Sequence, residues 1–243
     1  MKALITKEIR AYLSSLTGYL VIMIFLLLNG MFLWMFDGNF NILDAGYSSL
    51  DSLFVLAPWV FMFLIPAITM RMFADEHKAG TLELLFTRPL TELQIIAAKY
   101  IAALVLVILT LIPTLIYVIT VYQLGAPQGN LDTGATMGSY FGLIFLAACY
   151  VGLGILSSAI TKNQIVAFMI ALFLCFICYN GISSLSSFDV LGGAELFVNN
   201  LGIDTHYASI SRGVIDSRDV VYFVSFVGLT LLITQTVLRS RKW

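Results

Sequence analysis

Residues 100–122 read YIAALVLVILTLIPTLIYVITVY, twenty-three positions without a charge. As an α-helix this run is about 34 Å long at 1.5 Å per residue, enough to cross the roughly 30 Å of a bilayer's hydrocarbon. Lys99 precedes it, and the next charge, Asp132, comes only after a turn-rich stretch with Gly125, Pro127 and Gly129. A charge at the bilayer centre costs about 2.5–3.5 kcal/mol on insertion scales, so charges mark where a span ends. Working outward, the same criterion finds further spans at 19–36, 53–70, 140–160, 165–185 and 220–238, six in all. The expected fold class is an all-α polytopic membrane protein.

Composition points the same way. Of the 243 residues, 60% are hydrophobic and 11% charged, against roughly 45–50% and 25% in soluble domains. With 13 Lys+Arg against 14 Asp+Glu there is no basic surplus to neutralise phosphates, which argues against a nucleic-acid partner. Six spans place both termini on one side. That side holds Lys2, Lys7, Arg10, Arg71, Lys78, Arg88, Lys99, Lys162, Arg239, Arg241 and Lys242, 11 of the 13 cations. Only Arg212 and Arg218 lie opposite, so the positive-inside rule puts both termini in the cytoplasm.

Residues 1–18 begin with charge, as a signal peptide does, but the apolar run to Phe36 lacks a small-residue cleavage site and reads as a retained first span. Ile5, Ile9, Tyr12, Leu13 and Leu16 recur at helical spacing with Lys2, Lys7 and Arg10 off that stripe. The expected organisation is an amphipathic interfacial helix over 1–18, lying against membrane lipid, followed by a six-span domain over 19–243.

Little catalytic chemistry is written in the spans. They hold no ionisable group to relay protons, and His77 and His206 fall in loops without a nucleophile beside them. Cys149, Cys175 and Cys178 lie in apolar runs without a cation to activate a thiol, and no metal or cofactor site is indicated. A G-x-x-x-x-G-K-[ST] phosphate loop is missing, so any energy must come from a partner. Asn29, Tyr179 and Asn180, with Ser157, Ser158 and Ser183 nearby, are open to two readings, a substrate path or interhelical glue. Pro58, Pro66 and Pro113 read equally as hinges or as ordinary membrane-helix prolines, while Gly142, Gly152 and Gly154 permit close helix packing.

The most informative loop is 71–94, RMFADEHKAGTLELLFTRPLTELQ. Gly80 breaks the chain, Thr81 can cap a short helix reaching Thr87 or Arg88, and Pro89 stops it. Thr91-x-x-Gln94 is a capping box, starting a helix near Glu92 that runs through Ile95, Ile96 and Lys99 into the third span. Leu82, Leu84, Leu85 and Phe86 gain about 1.5–3 kcal/mol each on full burial, so this short helix wants a partner surface or the bilayer. Thr161-x-x-Gln164 offers a similar box at the start of the fifth span.

In this loop Glu76-x-x-x-Gly80-Thr81-x-Glu83-x-Leu85-x-x-x-Pro89 resembles the signature of ABC-2 type transporter permeases. The likeness extends over the chain: an interfacial helix, six spans and a long outer segment at 186–219, as in type V exporter-like permeases. More narrowly, the runs at 18–21, 40–44, 56–59, 163–168 and 210–216 are similar to gliding-motility-associated ABC transporter permeases of Bacteroidetes. The resemblance implies a non-catalytic permease subunit whose loop 71–99 seats a coupling helix in a cytoplasmic ATPase, the subunit that binds ATP. By that likeness Glu76, Gly80, Thr81, Glu83, Leu84, Leu85, Arg88 and Pro89 face the ATPase, with Lys162 and Asn163 in the next inner turn as a smaller contact. It also implies a second permease copy or a homologous permease, and an outer segment of short helices dipping toward the outer leaflet. A rival is a membrane anchor or mechanical transmitter that passes ATPase motion to a periplasmic auxiliary partner without moving a solute. His206, in the outer segment, is expected to be structural.

Overall fold

The computed structural model describes residues 1–82, 90–186 and 198–240. All regular elements among them are helical. In chain order they are α1 (Lys2–Leu13), α2 (Leu16–Trp34), α3 (Asp51–Thr69), α4 (Ala74–Lys78), α5 (Glu92–Leu111), α6 (Leu115–Leu124), α7 (Thr133–Ile160), α8 (Gln164–Phe176), α9 (Ile182–Ser186), α10 (Ile203–Ile210) and α11 (Ser217–Ser240). Among the described residues six helical stretches are long and apolar enough to cross a membrane: Leu16–Trp34, Asp51–Lys78, Glu92–Leu124, Thr133–Ile160, Gln164–Ser184 and Ser217–Ser240. Each contains or overlaps one expected span, and the chain is a multi-pass membrane protein.

The helix limits follow local chemistry. Thr91 and Gln94 form the expected capping box, Thr91 Oγ1 accepting from the Gln94 N–H at 3.3 Å and Gln94 Oε1 from the Thr91 N–H at 3.0 Å. Pro113 has no amide hydrogen, and at it the third span narrows to a 3-10 turn, Ile112–Thr114, between α5 and α6. Pro58 and Pro66, by contrast, lie inside an unbroken α3. In the fifth span a π-helical turn, Ile177–Gly181, separates α8 from α9.

Two boundaries differ from the sequence reading. The interfacial helix stops at Leu13 and the first span begins at Leu16, because Ser15 turns the chain: its hydroxyl donates to Tyr12 O at 2.7 Å and accepts from Gly18 N–H at 3.1 Å. The expected box at Thr161 is replaced by Asn163, whose Oδ1 caps α8 through Ile165 N–H at 2.9 Å. Gln164 is thereby free to point elsewhere.

The fourth span is the hub. Of its apolar stretch 83% is buried, against 22% in the first and fifth spans and 17% in the sixth, and α7 packs on α3, α8 and α11. Small residues make this possible. A Cβ on Gly154 would lie 2.1 Å from Thr69 Oγ1, and one on Gly152 2.4 Å from Thr230 Oγ1, so only glycine lets these neighbours approach. The peripheral helices keep apolar side chains such as Met23, Leu27, Met169 and Phe173 exposed, as a lipid-facing surface requires.

Ion pairs and hydrogen bonds gather α1, α4 and the ends of α5, α8 and α11 at one end of the bundle, the end of both termini, here called the basic end. At the opposite end α10 packs on α7, burying Ile203, Tyr207 and Ile210, with Tyr207 Oη donating to Phe54 O at 2.7 Å. Val198 and Leu201 of the outer apolar clusters are half-buried and exposed, respectively, while Leu191, Leu196 and Phe197 lie outside the described residues.

Candidate functional site

At the basic end the chain leaves α3 at Thr69 and re-enters a helix only at Ala74. The first amides of a helix have no partner within it. Here a side chain from α7 supplies one: buried Ser158 Oγ accepts from Phe73 N–H at 2.9 Å and Ala74 N–H at 3.1 Å, and donates to Met70 O at 3.0 Å. One hydroxyl therefore pins the start of α4 to the central helix.

α4 ends on a Schellman turn. Thr81 N–H donates to Glu76 O at 3.0 Å and Gly80 N–H to His77 O at 3.3 Å. Gly80 adopts φ +67°, a conformation that side chains resist. The spacing Glu76-x-x-x-Gly80-Thr81 is therefore a helix stop with a physical role for each position: Glu76 accepts, Gly80 reverses the chain and Thr81 closes the turn. Leu82 then packs against the core. Glu83, Leu84, Leu85, Arg88 and Pro89 lie outside the described residues.

The side chains of α4 grip in two directions. Asp75 Oδ1 accepts from Gln164 Nε2, tying α4 to the inner turn that carries half-exposed Thr161 and exposed Lys162 and Asn163. Glu76 turns toward Lys99. Its Oε1 is 2.9 Å from Lys99 Nζ, which also donates to Glu8 Oε1 at 3.2 Å and Met72 O at 2.6 Å. All three ammonium hydrogens are thus used, and the Phe73 ring lies 5.1 Å from the nitrogen.

Lys99 stands at the end to which the cation count assigns it, yet it is 1% exposed and belongs to the packed face of α5. Its spacing could have shown this, since Ile95, Lys99, Ala102 and Leu106 form one helical stripe that is otherwise apolar. Glu8, on α1, carried no signal beyond sharing a face with Leu4 and Tyr12. Lys7, 3.4 Å from Glu8 Oε1 and 3.7 Å from Glu76 Oε1, completes the cluster from its exposed side.

Asn29, Tyr179 and Asn180 do not form one polar line. Asn29 is buried and donates to Phe25 O at 2.8 Å within its own helix, rather than bridging helices. Tyr179 lies in the π-helical turn among Trp59, Tyr150 and Tyr207, and Asn180 beside it is half-buried. His206, at the opposite end, is a structural clamp. Nδ1 is 2.7 Å from Asp219 Oδ1, Nε2 is 2.9 Å from Asn200 O, and the ring stacks 3.9 Å from that of Tyr222.

No curated protein matches the chain. A family model described as ABC-2 family transporter protein does match, over residues 10–178, more than two thirds of the sequence. The match takes in the last turn of α1, the first four spans, the whole of α4 with its Schellman turn, and the fifth span as far as Cys178. By this match and by its six long apolar helices, the chain belongs to the ABC-2 family of transporter permeases, membrane subunits that work with a separate ATPase.

Proposed function

We propose that the basic end faces the cytoplasm of a bacterial inner membrane and docks an ABC ATPase, with residues 76–89 as the coupling element. Lys162 and Asn163 form a smaller second contact. The observation that supports this reading is the pair of ties from α4, Asp75 to Gln164 and the Ser158 cap. The chain entering 82–89 and the turn at 161–164 are thereby fastened together, so a partner pressing on either loads both, together with the central helix. Two copies, or one copy and a homologous permease, stand on two ATPase subunits, which hold the ATP. The resemblance of five short runs to gliding-motility-associated permeases supports motility or its associated protein secretion as the physiological setting.

A second reading is kept because of one observation. Asn29 and Tyr179 are buried within the subunit, and the exposed faces of α2 and α8 carry apolar residues such as Met23, Leu27, Met169 and Phe173. Those faces offer a polar solute no path, which favours a transmitter acting on a periplasmic auxiliary subunit.

The coupling assignment is tested by replacing Leu84 and Leu85 with Asp, which forces charge into the proposed apolar contact. The ATPase should no longer co-purify while the permease stays in the membrane at normal yield. Co-purification at the wild-type level would sink the assignment.

A further inference from the structure

At the end away from the basic end, two segments meet at a single imidazole. His206 Nδ1 lies 2.7 Å from Asp219 Oδ1, in the first turn of α11, and Nε2 lies 2.9 Å from Asn200 O, in the turn before α10. An ionised carboxylate and a backbone carbonyl can only accept. Both ring nitrogens therefore have to donate, and a neutral imidazole carries one N–H alone. The geometry is that of an imidazolium.

The surroundings suit that charge. Asp219 is buried, at a first-turn position of a 24-residue helix where negative charge is favoured. The Tyr222 ring stacks 3.9 Å from the imidazole, an arrangement that favours a cation, and Tyr222 Oη donates to Leu201 O at 2.7 Å. Among the described residues the other titratable groups on elements packed against α10 are engaged elsewhere or exposed. Tyr140 bonds to Thr114, Cys149 to Phe223 O and Tyr179 to Asp204 of α10 itself, while Tyr150 packs on Tyr179. Cys178 is a half-buried thiol and Arg218 is exposed.

We propose that His206 is a proton-operated latch, which fastens the Asn200–Leu201 turn to α11 when both ring nitrogens are protonated and releases Asn200 when one proton leaves. The proton passes from Nε2 to water, because the N–H that remains is held by the charged and therefore stronger acceptor, Asp219. The Nε2 lone pair then faces Asn200 O, acceptor against acceptor, and exposed Asn200 turns to water instead. The fastened form binds the additional proton, so acid closes the latch and alkali opens it. Imidazole side chains change charge within about pH 5–8. Tyr207, bonded to Phe54 O, anchors α10 to α3 in both settings, which confines the opening to the contact between the turn and α11. That the proton is exchanged with the periplasm rests on the orientation proposed above; the latch itself does not.

The chain has two histidines, so NMR of the ¹⁵N-histidine-labelled permease in nanodiscs, with His206→Gln identifying the signals, reads each nitrogen. At about pH 5 both His206 nitrogens should be protonated, and at about pH 8.5 Nδ1 alone. Spin labels at exposed Asn200→Cys and Val221→Cys, with Cys149, Cys175 and Cys178 replaced by Ala, should lengthen their distance over the same range. Asp219→Asn removes the close opposite charge and should demand about tenfold more protons for closure. Tyr222→Phe, which keeps the stacked ring but loses the bond to Leu201 O, should loosen the turn at both extremes without moving the transition. A neutral ring at the acid extreme, a distance indifferent to pH, or a transition that survives His206→Gln would overturn the latch. In spheroplasts the distance should follow the external pH; if it follows only the internal pH, the latch stands and the orientation falls.

Discussion

Ser158→Ala is the most direct test of how the loop is held to the bundle. The change removes one oxygen and leaves two buried amides, Phe73 N–H and Ala74 N–H, without the acceptor now 2.9 and 3.1 Å away. Each orphaned buried donor costs about 1–3 kcal/mol, whereas hydrogen bonds within membranes average only about 0.6 kcal/mol, with a maximum near 1.7. Two donors thus give about 2–6 kcal/mol on the first scale and about 1.2–3.4 on the second. The overlap places the cost at about 2–3 kcal/mol, a factor of roughly 30–150 in the folding equilibrium. Phe73 and Ala74 are both fully buried, so water is poorly placed to substitute.

The neighbouring hydroxyl supplies the control. Ser157 Oγ is equally buried but donates to Leu153 O in its own helix at 2.8 Å, and removing it strands no amide. Ser157→Ala should cost no more than about 0.6 kcal/mol. Reversible unfolding in mixed micelles, followed by tryptophan fluorescence, measures both variants on one scale. If Ser158→Ala is no more damaging than Ser157→Ala, the interhelical cap does not hold α4, and the mechanical link from loop to central helix is refuted with it.

Further outcomes follow from other parts of the fold. In a cysteine-free background, Gln128→Cys should react with an impermeant thiol reagent in intact cells and Ala79→Cys should not; the reverse pattern would invert the orientation. Gly154→Ala should destabilise by about 1–3 kcal/mol, because the added Cβ would meet not only Thr69 Oγ1 but its Cβ at 2.8 Å. Gly228→Ala, with open space around it, should be neutral or stabilising by up to about 1 kcal/mol in the same unfolding assay. Burial raises the Asp204 carboxyl above its ordinary value, against an opposing hydrogen bond from Tyr179. Its folded value therefore exceeds its unfolded one. The stabilisation is full below about pH 4 and is lost as pH rises through the raised value. Asp204→Asn should flatten that limb of the stability profile, and an unchanged profile would show that Asp204 does not cause it.

The spans were legible because the physics behind them is local. A run such as 100–122 has no reading other than burial in hydrocarbon, and Thr91 with Gln94 caps α5 through atoms three residues apart. Gly80 was legible for the same reason, since a helix stop is decided within a few residues. Where a hydroxyl or amide had a distant alternative, the local pattern misled. Thr161 and Gln164 have the spacing of a capping box, but Gln164 does better against Asp75, 89 residues away, and Asn163 takes the cap. Ser158 looked like any small polar residue in a span, because nothing in α7 reveals that two orphan amides of another segment arrive beside it.

Lys99 shows the same limit from the side of charge. Counting cations by side uses only which end of a span a residue occupies, and by that measure Lys99 is one more inner-side lysine. A buried ammonium needs partners, and those partners, Glu8 and Glu76, come from 91 and 23 residues away. Either carboxylate alone reads as a solvated surface charge. The stripe of Ile95, Lys99, Ala102 and Leu106 was the one available warning, because it puts a cation where an apolar residue was due. Removing one partner of a buried ion pair typically costs about 3–5 kcal/mol, more than a loop cation would cost to lose. The residue that sequence counting treated as interchangeable with ten others is therefore the one whose substitution the fold should tolerate least, and it stands where the N-terminal helix, the loop helix and the third span meet.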